Sequence, residues 1–354
     1  MVHAPPRFQT NVPVRVNLYS DTQTKPSRAM KEAMMDAEVG DEQHGSDPTT
    51  HALCDRMAAL LGKEAAVFMP SGTMCNEVAI LTQCRPGDEI LAHPTAHIYS
   101  SEGGAPGALA GVQLTGLPGE GGQFSADALR EAIRPKTRYA PPQRMVEVEQ
   151  TANLGGGRVW PLEQLNAVAE IAHEHGMVTH MDGARLMNAV VASGIPAHEM
   201  CAGYDTVWLD FTKGLGAPLG AVLAGSAEVI GEAWRWKQRV GGSMRQSGIC
   251  AAACIYALDH NIDRLADDHE NARVLARELA QTPGITVELP ETNLVFFDVS
   301  GTGLTGAELA ERLREKGVLI SVMGKYRGRA CTHLDVDRAG VLEAASAVRE
   351  VLAH

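Results

Sequence analysis

The sequence lacks any apolar run long enough to span a bilayer, and its first ten residues, MVHAPPRFQT, lack the apolar core of a secretory signal peptide. It is also short of positive charge, with 31 lysines and arginines against 43 acidic residues and a formal net charge of −12. These features argue against a membrane protein. They also argue against nucleic acid or an anionic membrane surface as a partner.

Cysteine is scarce and scattered. The 7 cysteines are odd in number, so we expect reduced thiols in a cytoplasmic protein and no disulfide framework. Cys250 and Cys254 are i,i+4 neighbours in a helical pattern, but no second pair of cysteines lies at ligand spacing. This favours core packing over a metal site. The phosphate-binding motif GK[S/T] is also absent, and the single GxGxxG match, at residues 301–306, lies far from the segments considered below.

Strands and helices alternate along the chain, which predicts an α/β fold. We predict an N-terminal arm over residues 1–14, a large and mostly parallel-sheet domain over 15–250, and a smaller C-terminal α+β domain over 251–354. The chain of 354 residues, 45% of them hydrophobic, is long enough for both domains to have a core.

The most informative stretch is DTVWLDFTKGLGAPLG, residues 205–220. An apolar strand leads into Thr212-Lys213, a turn rich in glycine and proline follows, and a second apolar strand begins at Ala221. A turn lysine is usually just solvated. Here the Gly-x-Gly after Lys213 allows a flat ligand to approach closely, and the apolar flanks favour a partly desolvated amine that acts as a Schiff-base nucleophile.

A second motif, VTHMDGAR at residues 178–185, ends a predicted strand in Asp182, one βαβ-sized step before Lys213. A carboxylate and a lysine at the ends of successive parallel strands are what pyridoxal phosphate needs. The lysine binds the aldehyde carbon, and the acid keeps the pyridine nitrogen protonated so that the ring accepts electrons. The pair therefore predicts pyridoxal phosphate as the cofactor.

A third segment follows the predicted strand over residues 65–69. Ser71, Gly72 and Thr73 come directly before a helix, so unpaired N–H groups and two hydroxyls stand at the positive end of the helix dipole. A simple Ser or Thr N-cap is the alternative. Together with Asp182 and Lys213, a phosphate site is the better interpretation.

The chain resembles the low-specificity L-threonine aldolases, a family with the aspartate-aminotransferase-like fold of pyridoxal-phosphate enzymes. The resemblance extends from Ser20 to about Leu352. The motifs that carry it are SDTQTKPSRAM (20–30), GDEQHGSDPT (40–49), PSGTMCN (70–76), AHIYSSEGG (96–104), HMDGAR (180–185), TKGLGAP (212–218), WRWKQRVGGSMRQSGI (234–249) and THLDV (332–336).

The resemblance implies cleavage of a β-hydroxy-α-amino acid to glycine and an aldehyde, with a role for each matching residue. Residues assigned to the cofactor are Lys213, Asp182, His97 stacked on the ring, Ser71, Gly72, Thr73, Thr212 and Arg185. Residues assigned to the substrate carboxylate are Arg185 and Arg329, assisted by Ser20. Arg239 and Arg245 would reach the cofactor of a neighbouring subunit, which implies a homo-oligomer, with a tetramer expected.

Two positions depart from the family. The loop after Glu149 usually contains Asn-Thr-His-Asn, but here Ala152 replaces the histidine that faces the substrate hydroxyl. The early loop has His44-Gly45 where the family has Tyr-Gly. We therefore predict that His97 is the principal base, directly or through a water, and that His44 helps to hold the hydroxyl.

Other functions remain open from sequence alone. A β-eliminating lyase or an aminotransferase would use the same lysine, aspartate and arginines. A non-catalytic binding protein of the same fold is a further alternative, and the intact Lys213 and Asp182 argue against it.

Overall fold

The computed structural model describes residues 12–353, so most of the predicted arm over residues 1–14 lies outside the described residues. The chain divides into two compact units. The large unit comprises residues 24–266, and the small unit comprises the described residues before Thr24 together with those after Ala266. None of the helices described is long and apolar enough to cross a membrane.

The strands have the following bounds in chain order: β1 (Val16–Asn17), β2 (Ala65–Met69), β3 (Glu89–Ala92), β4 (Gln113–Gly116), β5 (Gly119–Glu120), β6 (Gln123–Phe124), β7 (Gln143–Glu149), β8 (Val178–Gly183), β9 (Thr206–Asp210), β10 (Ala221–Gly225), β11 (Thr286–Val287), β12 (Leu294–Asp298), β13 (Val318–Leu319), β14 (Ser321–Val322) and β15 (Arg327–Cys331).

The α-helices are α1 (Arg28–Met35), α2 (Pro48–Leu61), α3 (Gly72–Gln83), α4 (His97–Ser100), α5 (Ala126–Ala132), α6 (Leu162–Glu174), α7 (Leu186–Ser193), α8 (Ala197–Cys201), α9 (Ala227–Arg239), α10 (Gly248–His260), α11 (Leu265–Ala280), α12 (Gly306–Glu315) and α13 (Arg338–Leu352). A π-helix spans Pro106–Ala110, and short 3-10 helices span Asp21–Gln23, Glu42–His44 and Ser300–Thr302.

The large unit is built on a seven-stranded sheet in the order β2-β10-β9-β8-β7-β3-β4. The pairs from β9 to β4 are parallel, and β10 is antiparallel to both of its neighbours. The carboxyl ends of β2, β3, β7, β8 and β9 therefore meet at one edge of the sheet, where ligands bind in open α/β folds. The predicted mostly parallel sheet is confirmed.

The two faces of this sheet differ in polarity, because alternate residues of a strand point to opposite faces. Val146, Val148 and Met181 belong to the main hydrophobic core on one face. Residues one position along share the other face: the register pairs Glu147 with His180 and Glu149 with Asp182. This second face carries most of the polar groups described below.

The division into units differs from the predicted boundary near residue 250. Helix α10 packs against α1 and α2, so it belongs with the large unit, and the boundary falls after Ala266. Residues 16–23 belong to the small unit because β1 pairs in parallel with β13. Helix α10 ends at His260, and the next residue, Asn261, donates its side-chain amide to the Leu215 carbonyl (2.8 Å).

The small unit contains a four-stranded antiparallel sheet in the order β11-β12-β15-β14. Its core includes Val295, Leu309, Leu313 and Val348, from β12, α12 and α13. Helix α12 begins with a capping box in which Thr305 and Glu308 exchange side-chain-to-backbone hydrogen bonds. The predicted α+β pattern of this part of the chain is therefore present.

Candidate active site

Lys213 lies in the turn that follows β9, at the carboxyl edge of the large sheet. Its Nζ forms an ion pair with Asp210 Oδ2 (2.6 Å) and lies 5.7 Å from the centroid of the Trp208 ring. Thr212 fixes Asp210 by donating its backbone N–H and its hydroxyl to Oδ1 (2.9 and 2.8 Å). The Lys213 side chain is 18% exposed, so its amine is positioned by the strand end and still reachable from solvent.

Asp182 lies on the neighbouring strand β8, where the register pairs it with Trp208. It is 1% exposed. Its Oδ1 accepts the Ala184 N–H (2.9 Å), and its Oδ2 accepts the Asn76 side-chain amide (2.9 Å). Burial raises the pKa of Asp182, while the His97 charge and the Asn76 hydrogen bond oppose that effect. Both donors are neutral, so a cationic N–H at this carboxylate would be strongly favoured.

Asn76 connects Asp182 to a wider buried network, and our sequence analysis assigned it no role. Its Nδ2 also donates to Glu102 Oε1 (2.8 Å). Its Oδ1 accepts from His180 Nε2 (3.0 Å) and from Trp208 Nε1 (2.6 Å). Both amide hydrogens and both carbonyl lone pairs are therefore used, which fixes the orientation of the amide.

His180 continues this network away from the sheet edge. Its Nδ1 contacts the Thr206 hydroxyl (2.8 Å), and that hydroxyl accepts from the Gln83 amide (3.0 Å). Burial lowers the pKa of His180 to about 3, so the ring is neutral. Since Nε2 donates to Asn76, the single ring proton is on Nε2, and Nδ1 accepts from Thr206.

His97 is the first residue of α4. Its Nδ1 lies 2.7 Å from Glu102 Oε1. The His97 side chain is 38% exposed, whereas that of Glu102 is fully buried. The hydrogen bond to Glu102 raises the pKa of His97, and burial opposes this. Nδ1–H therefore donates to the carboxylate, and Nε2 is left as the ring nitrogen available to a ligand.

The segment Ser71-Gly72-Thr73 leads from β2 into α3. The Ser71 hydroxyl accepts the Met74 N–H (3.3 Å) as an N-cap. The Gly72 backbone lies against the Trp208 ring so closely that a Cβ would be 2.2 Å from a ring carbon. The first N–H groups of a helix have no intrahelical partner, so this helix start can still bind an anion. The observed cap is therefore compatible with the predicted anion site, which stays a prediction.

Several acids lie close together on the same face of the sheet. Burial, and next the charge of Asp182, raise the pKa of Glu149 to about 7, while the charges of His97 and Arg185 act in the opposite direction. Burial raises the pKa of Glu147 well above its usual range. Neither Glu147 oxygen receives a donor from the described residues. The face beneath the site is thus acidic, and part of it is protonated at neutral pH.

Arg185 immediately follows the Asp182 turn and precedes α7. It is 5% exposed, and its backbone N–H donates to the Gln150 carbonyl (3.2 Å). Because its charge acts on Glu149, its guanidinium lies on the acidic side of the site. This position agrees with the predicted role in binding an anionic group.

Three other predicted site residues lie on the surface of the large unit. His44 ends a 3-10 helix, and its exposed ring lies 4.0 Å from Asp41. Arg245 forms an ion pair with the same aspartate (2.8 Å). Arg239 stacks on the Trp236 ring at 4.5 Å. His44 and Arg245 therefore share Asp41 as a partner, Arg239 is paired with Glu232 (3.8 Å), and the roles of all three residues stay predictions.

Ser20 and Arg329 belong to the small unit. Ser20 is buried, and its hydroxyl accepts from the Thr22 hydroxyl (2.8 Å). Arg329 is 8% exposed, and its Nε donates to Ser321 Oγ (3.0 Å). Because they lie outside the large unit, their part in substrate binding stays a prediction.

The sequence is similar to a known family and to characterised members of it. The family profile described as "Beta-eliminating lyase" matches residues 17–302. The sequence is 40% identical over 340 residues to the low specificity L-threonine aldolase of Escherichia coli (strain K12), covering 96% of this chain and 100% of that protein. It is 39% identical over 333 residues to the low-specificity L-threonine aldolase 1 of Arabidopsis thaliana, covering 92% and 93%.

Solved structures agree on the fold. A threonine aldolase from Leishmania major superposes with a TM-score of 0.82 at 18% identity, covering 95% of this chain and 99% of that one. An aspartate aminotransferase from Rhizobium meliloti superposes with a TM-score of 0.69 at 15% identity, covering 96% and 92%. The aspartate-aminotransferase-like fold predicted from the sequence is therefore confirmed.

Proposed function

Because the chain belongs to the beta-eliminating lyase family and, within it, to the low-specificity L-threonine aldolases, we propose that it cleaves β-hydroxy-α-amino acids of the L-threonine and L-allo-threonine type to glycine and an aldehyde. The enzyme is a carbon–carbon lyase. The observation that carries this function is the placement of Lys213 and Asp182 at the carboxyl ends of neighbouring strands. Asn76 and Glu102 connect His97 to the same Asp182.

The donor set suits pyridoxal phosphate. The Asp182 carboxylate accepts only neutral N–H donors, so a protonated pyridine nitrogen would supply the cation that this buried group favours. The start of α3 offers N–H groups to a phosphate. The residues that would hold the cofactor are Lys213, Thr212, Asp182, His97, Arg185, Ser71, Gly72 and Thr73. When bound, the cofactor supplies an electron sink for the electron pair released when the Cα–Cβ bond breaks.

Lys213 is the residue that binds the cofactor covalently. Its amine must lose a proton before it can attack an aldehyde carbon. Asp210 Oδ2, 2.6 Å from Nζ, accepts a hydrogen bond from the amine and holds it at the strand end. Thr212 holds the other Asp210 oxygen with two hydrogen bonds, so the acceptor stays aimed at the lysine.

Arg185 binds the substrate carboxylate. A guanidinium and a carboxylate form two parallel charge-assisted hydrogen bonds, which fix the orientation of the amino acid as well as its affinity. That orientation decides which bond to Cα is aligned for cleavage. Arg329 and Ser20 of the small unit assist in the same task, as the resemblance implies.

His97 acts as the base toward the β-hydroxyl. Glu102 accepts the Nδ1 proton (2.7 Å), so Nε2 carries the lone pair that can take the hydroxyl proton, directly or through a water. The aldehyde then leaves, and a proton returns to Cα to give glycine. We place His44 in an assisting role at the hydroxyl, from the same or a neighbouring subunit.

A β-eliminating lyase is the second candidate, because the matching family profile carries that description. The two functions differ in products: aldol cleavage of L-threonine gives glycine and acetaldehyde, whereas elimination gives ammonia and a keto acid. The purified enzyme should be incubated with L-threonine, L-allo-threonine and L-serine, and all four products should be quantified.

The expected result is equimolar glycine and acetaldehyde from both threonine isomers, with neither product from Lys213→Ala. Ammonia and keto acid in place of glycine would replace the proposal by the second candidate. Borohydride trapping of the cofactor, followed by peptide mapping, should label Lys213. A label on any other lysine would end the assignment.

We further propose a homotetramer in the cytoplasm. The exposed Arg239 and Arg245 support assembly, since the resemblance directs them toward a neighbouring subunit's cofactor. All 7 cysteines are unpaired, which supports a reducing compartment. Light scattering coupled to size exclusion should give four times the 37.7 kDa chain mass.

A further inference from the structure

Two buried carboxyl groups, those of Glu77 and Glu102, lie within hydrogen-bonding reach of each other behind His97. Glu77 follows Asn76 on α3 and is 4% exposed, and the Glu102 side chain is fully buried. The N–H groups of Asn76 and His97 both go to Glu102 Oε1. Glu102 Oε2 and both oxygens of Glu77 receive no donor from the described residues. Of the four carboxyl oxygens of Glu77 and Glu102, only Glu102 Oε1 therefore accepts a hydrogen bond from the described residues.

An ionised carboxylate can only accept hydrogen bonds, so two ionised acids in contact would repel each other. A single proton held between them removes one charge and supplies the missing donor. Burial, followed by the hydrogen bond and the charge of Glu102, raises the pKa of Glu77 to about 8. A proton shared by the pair at neutral pH agrees with this value.

Among the described residues, no cation is paired with Glu77. Strands β2 and β10 and the π-helix over residues 106–110 carry no charged side chain. On α9, Lys237 is paired with Glu42, and Arg235 and Arg239 are paired with Glu232. The other charged or titratable groups on the elements packed against α3 or next to Glu102 are Glu228, His180, Asp182, Asp210, His97 and Glu147. The net environment is acidic, which favours retention of the proton.

We propose that Glu77 and Glu102 share one proton, and that Glu77 thereby acts as a positioning residue for His97. The Glu77 O–H donates to Glu102 Oε2, Glu102 remains an anion, and its Oε1 accepts the Nδ1–H of His97. This chain keeps the His97 proton on Nδ1 and leaves Nε2 free. When Glu77 ionises, its proton leaves to solvent and the pair carries two negative charges, which strengthens the hold on His97 as imidazolium. Nε2 then keeps its proton and can no longer act as a base.

The shared proton stands independently of the reaction, whereas its effect on catalysis rests on the proposed function. The test uses the full-length protein with its histidines labelled, and follows the His97 ring by NMR from pH 6 to 9.5. His97→Gln serves only to assign that signal among the 13 histidines. We expect the wild-type His97 signal to show an inflection near pH 8, and infrared difference spectra at pH 6 to show one protonated carboxyl that Glu77→Gln removes.

Variants of Glu77 distinguish hydrogen-bond donation to Glu102 from a role of Glu77 in packing alone. Glu77→Gln keeps a donor toward Glu102 and cannot ionise, so Nδ1 should stay protonated and the His97 signal should show only the titration of the ring itself, without the inflection caused by Glu77. Glu77→Met removes the donor, so the Nδ1 shift should change at every pH. The control is the same glutamine substitution at the exposed Glu120, which should leave the His97 titration unchanged.

Identical His97 titrations in wild type and Glu77→Gln, or the absence of the protonated carboxyl signal, would overturn the shared proton. Because those two measurements need only the soluble Gln variant, they decide the matter even if Glu77→Met does not fold. In the same pH range, aldol activity of the wild type should fall through pH 8 more steeply than that of Glu77→Gln. If the inflection is present but the two activity profiles coincide, the base assignment to His97 fails and the shared proton survives.

Discussion

Replacing Glu147 by methionine should stabilise the protein, and the gain should grow with pH. Glu147 is fully buried on β7, and no described residue donates to either of its carboxyl oxygens. Methionine has a similar volume and no group that needs a partner, so the exchange conserves packing. Removing an unsatisfied buried polar group is worth about 1–3 kcal/mol.

The pH dependence follows from the direction of the pKa shift. Burial raises the pKa of Glu147 well above its ordinary value of 4.5 in the folded protein. Its contribution is therefore fully present below pH 4.5 and is lost as pH rises toward the folded pKa, because only the unfolded chain releases the proton. One proton of difference costs about 1.4 kcal/mol per pH unit. The stability gain of the variant over wild type should therefore grow from pH 5 to pH 7.

The assay is urea unfolding followed by circular dichroism at pH 5, 6 and 7, at one protein concentration and without cofactor. Glu120→Met, at an exposed position on β5, is the matched control and should show no such slope. A difference between Glu147→Met and wild type that stays constant from pH 5 to 7 would refute the protonated, buried Glu147.

Two further substitutions test the site and its support. Gly72→Ala places a methyl group 2.2 Å from the Trp208 ring, so cofactor affinity, measured by absorbance titration, should fall at least about tenfold. Lys237→Met leaves Glu42 buried without its cation, and unfolding measurements should show a loss of about 3–5 kcal/mol. Adding Glu42→Gln to that variant should recover part of the loss, because the remaining side chain is then neutral.

The architecture of the large sheet can be predicted from the sequence, because the composition of its strands is typical of buried β-strands. The strand over residues 65–69 is a continuous apolar run, as a strand buried on both faces requires. The interruption between α10 and α11 was not accessible, because residues 261–264 contain neither glycine nor proline. The break depends on Asn261 reaching the distant Leu215 carbonyl, a tertiary contact that no local pattern encodes.

The candidate site likewise contains residues that the sequence predicts and residues that it does not. Lys213 and Asp182 were predicted because each follows a recognisable strand and each has chemistry of its own. Asn76 and Glu102 lie inside the motifs PSGTMCN and AHIYSSEGG, but the sequence predicts no role for them. The role of a buried amide or acid can be inferred only when its hydrogen-bond partners are known. The buried position of Glu147 could not be predicted from the sequence for a related reason. Only the register, which pairs it with His180, shows that this acid faces the polar side of the sheet and not solvent.

Ala152 is the position where the local packing bears most directly on mechanism. Its methyl group is 2% exposed, and a Cβ built on Gly122, in the β5–β6 turn, would lie 2.6 Å from it. An imidazole has no room there unless that turn moves. We therefore expect Ala152→His, which restores the residue common in the family, to lower the free energy of unfolding by about 1–3 kcal/mol through overpacking and to leave kcat for both threonine isomers unchanged. Ala152→Ser, which adds one atom, is the control and should cost less. A stable Ala152→His variant with kcat raised tenfold or more would show that the turn yields, and that His97 is not the sufficient base proposed here.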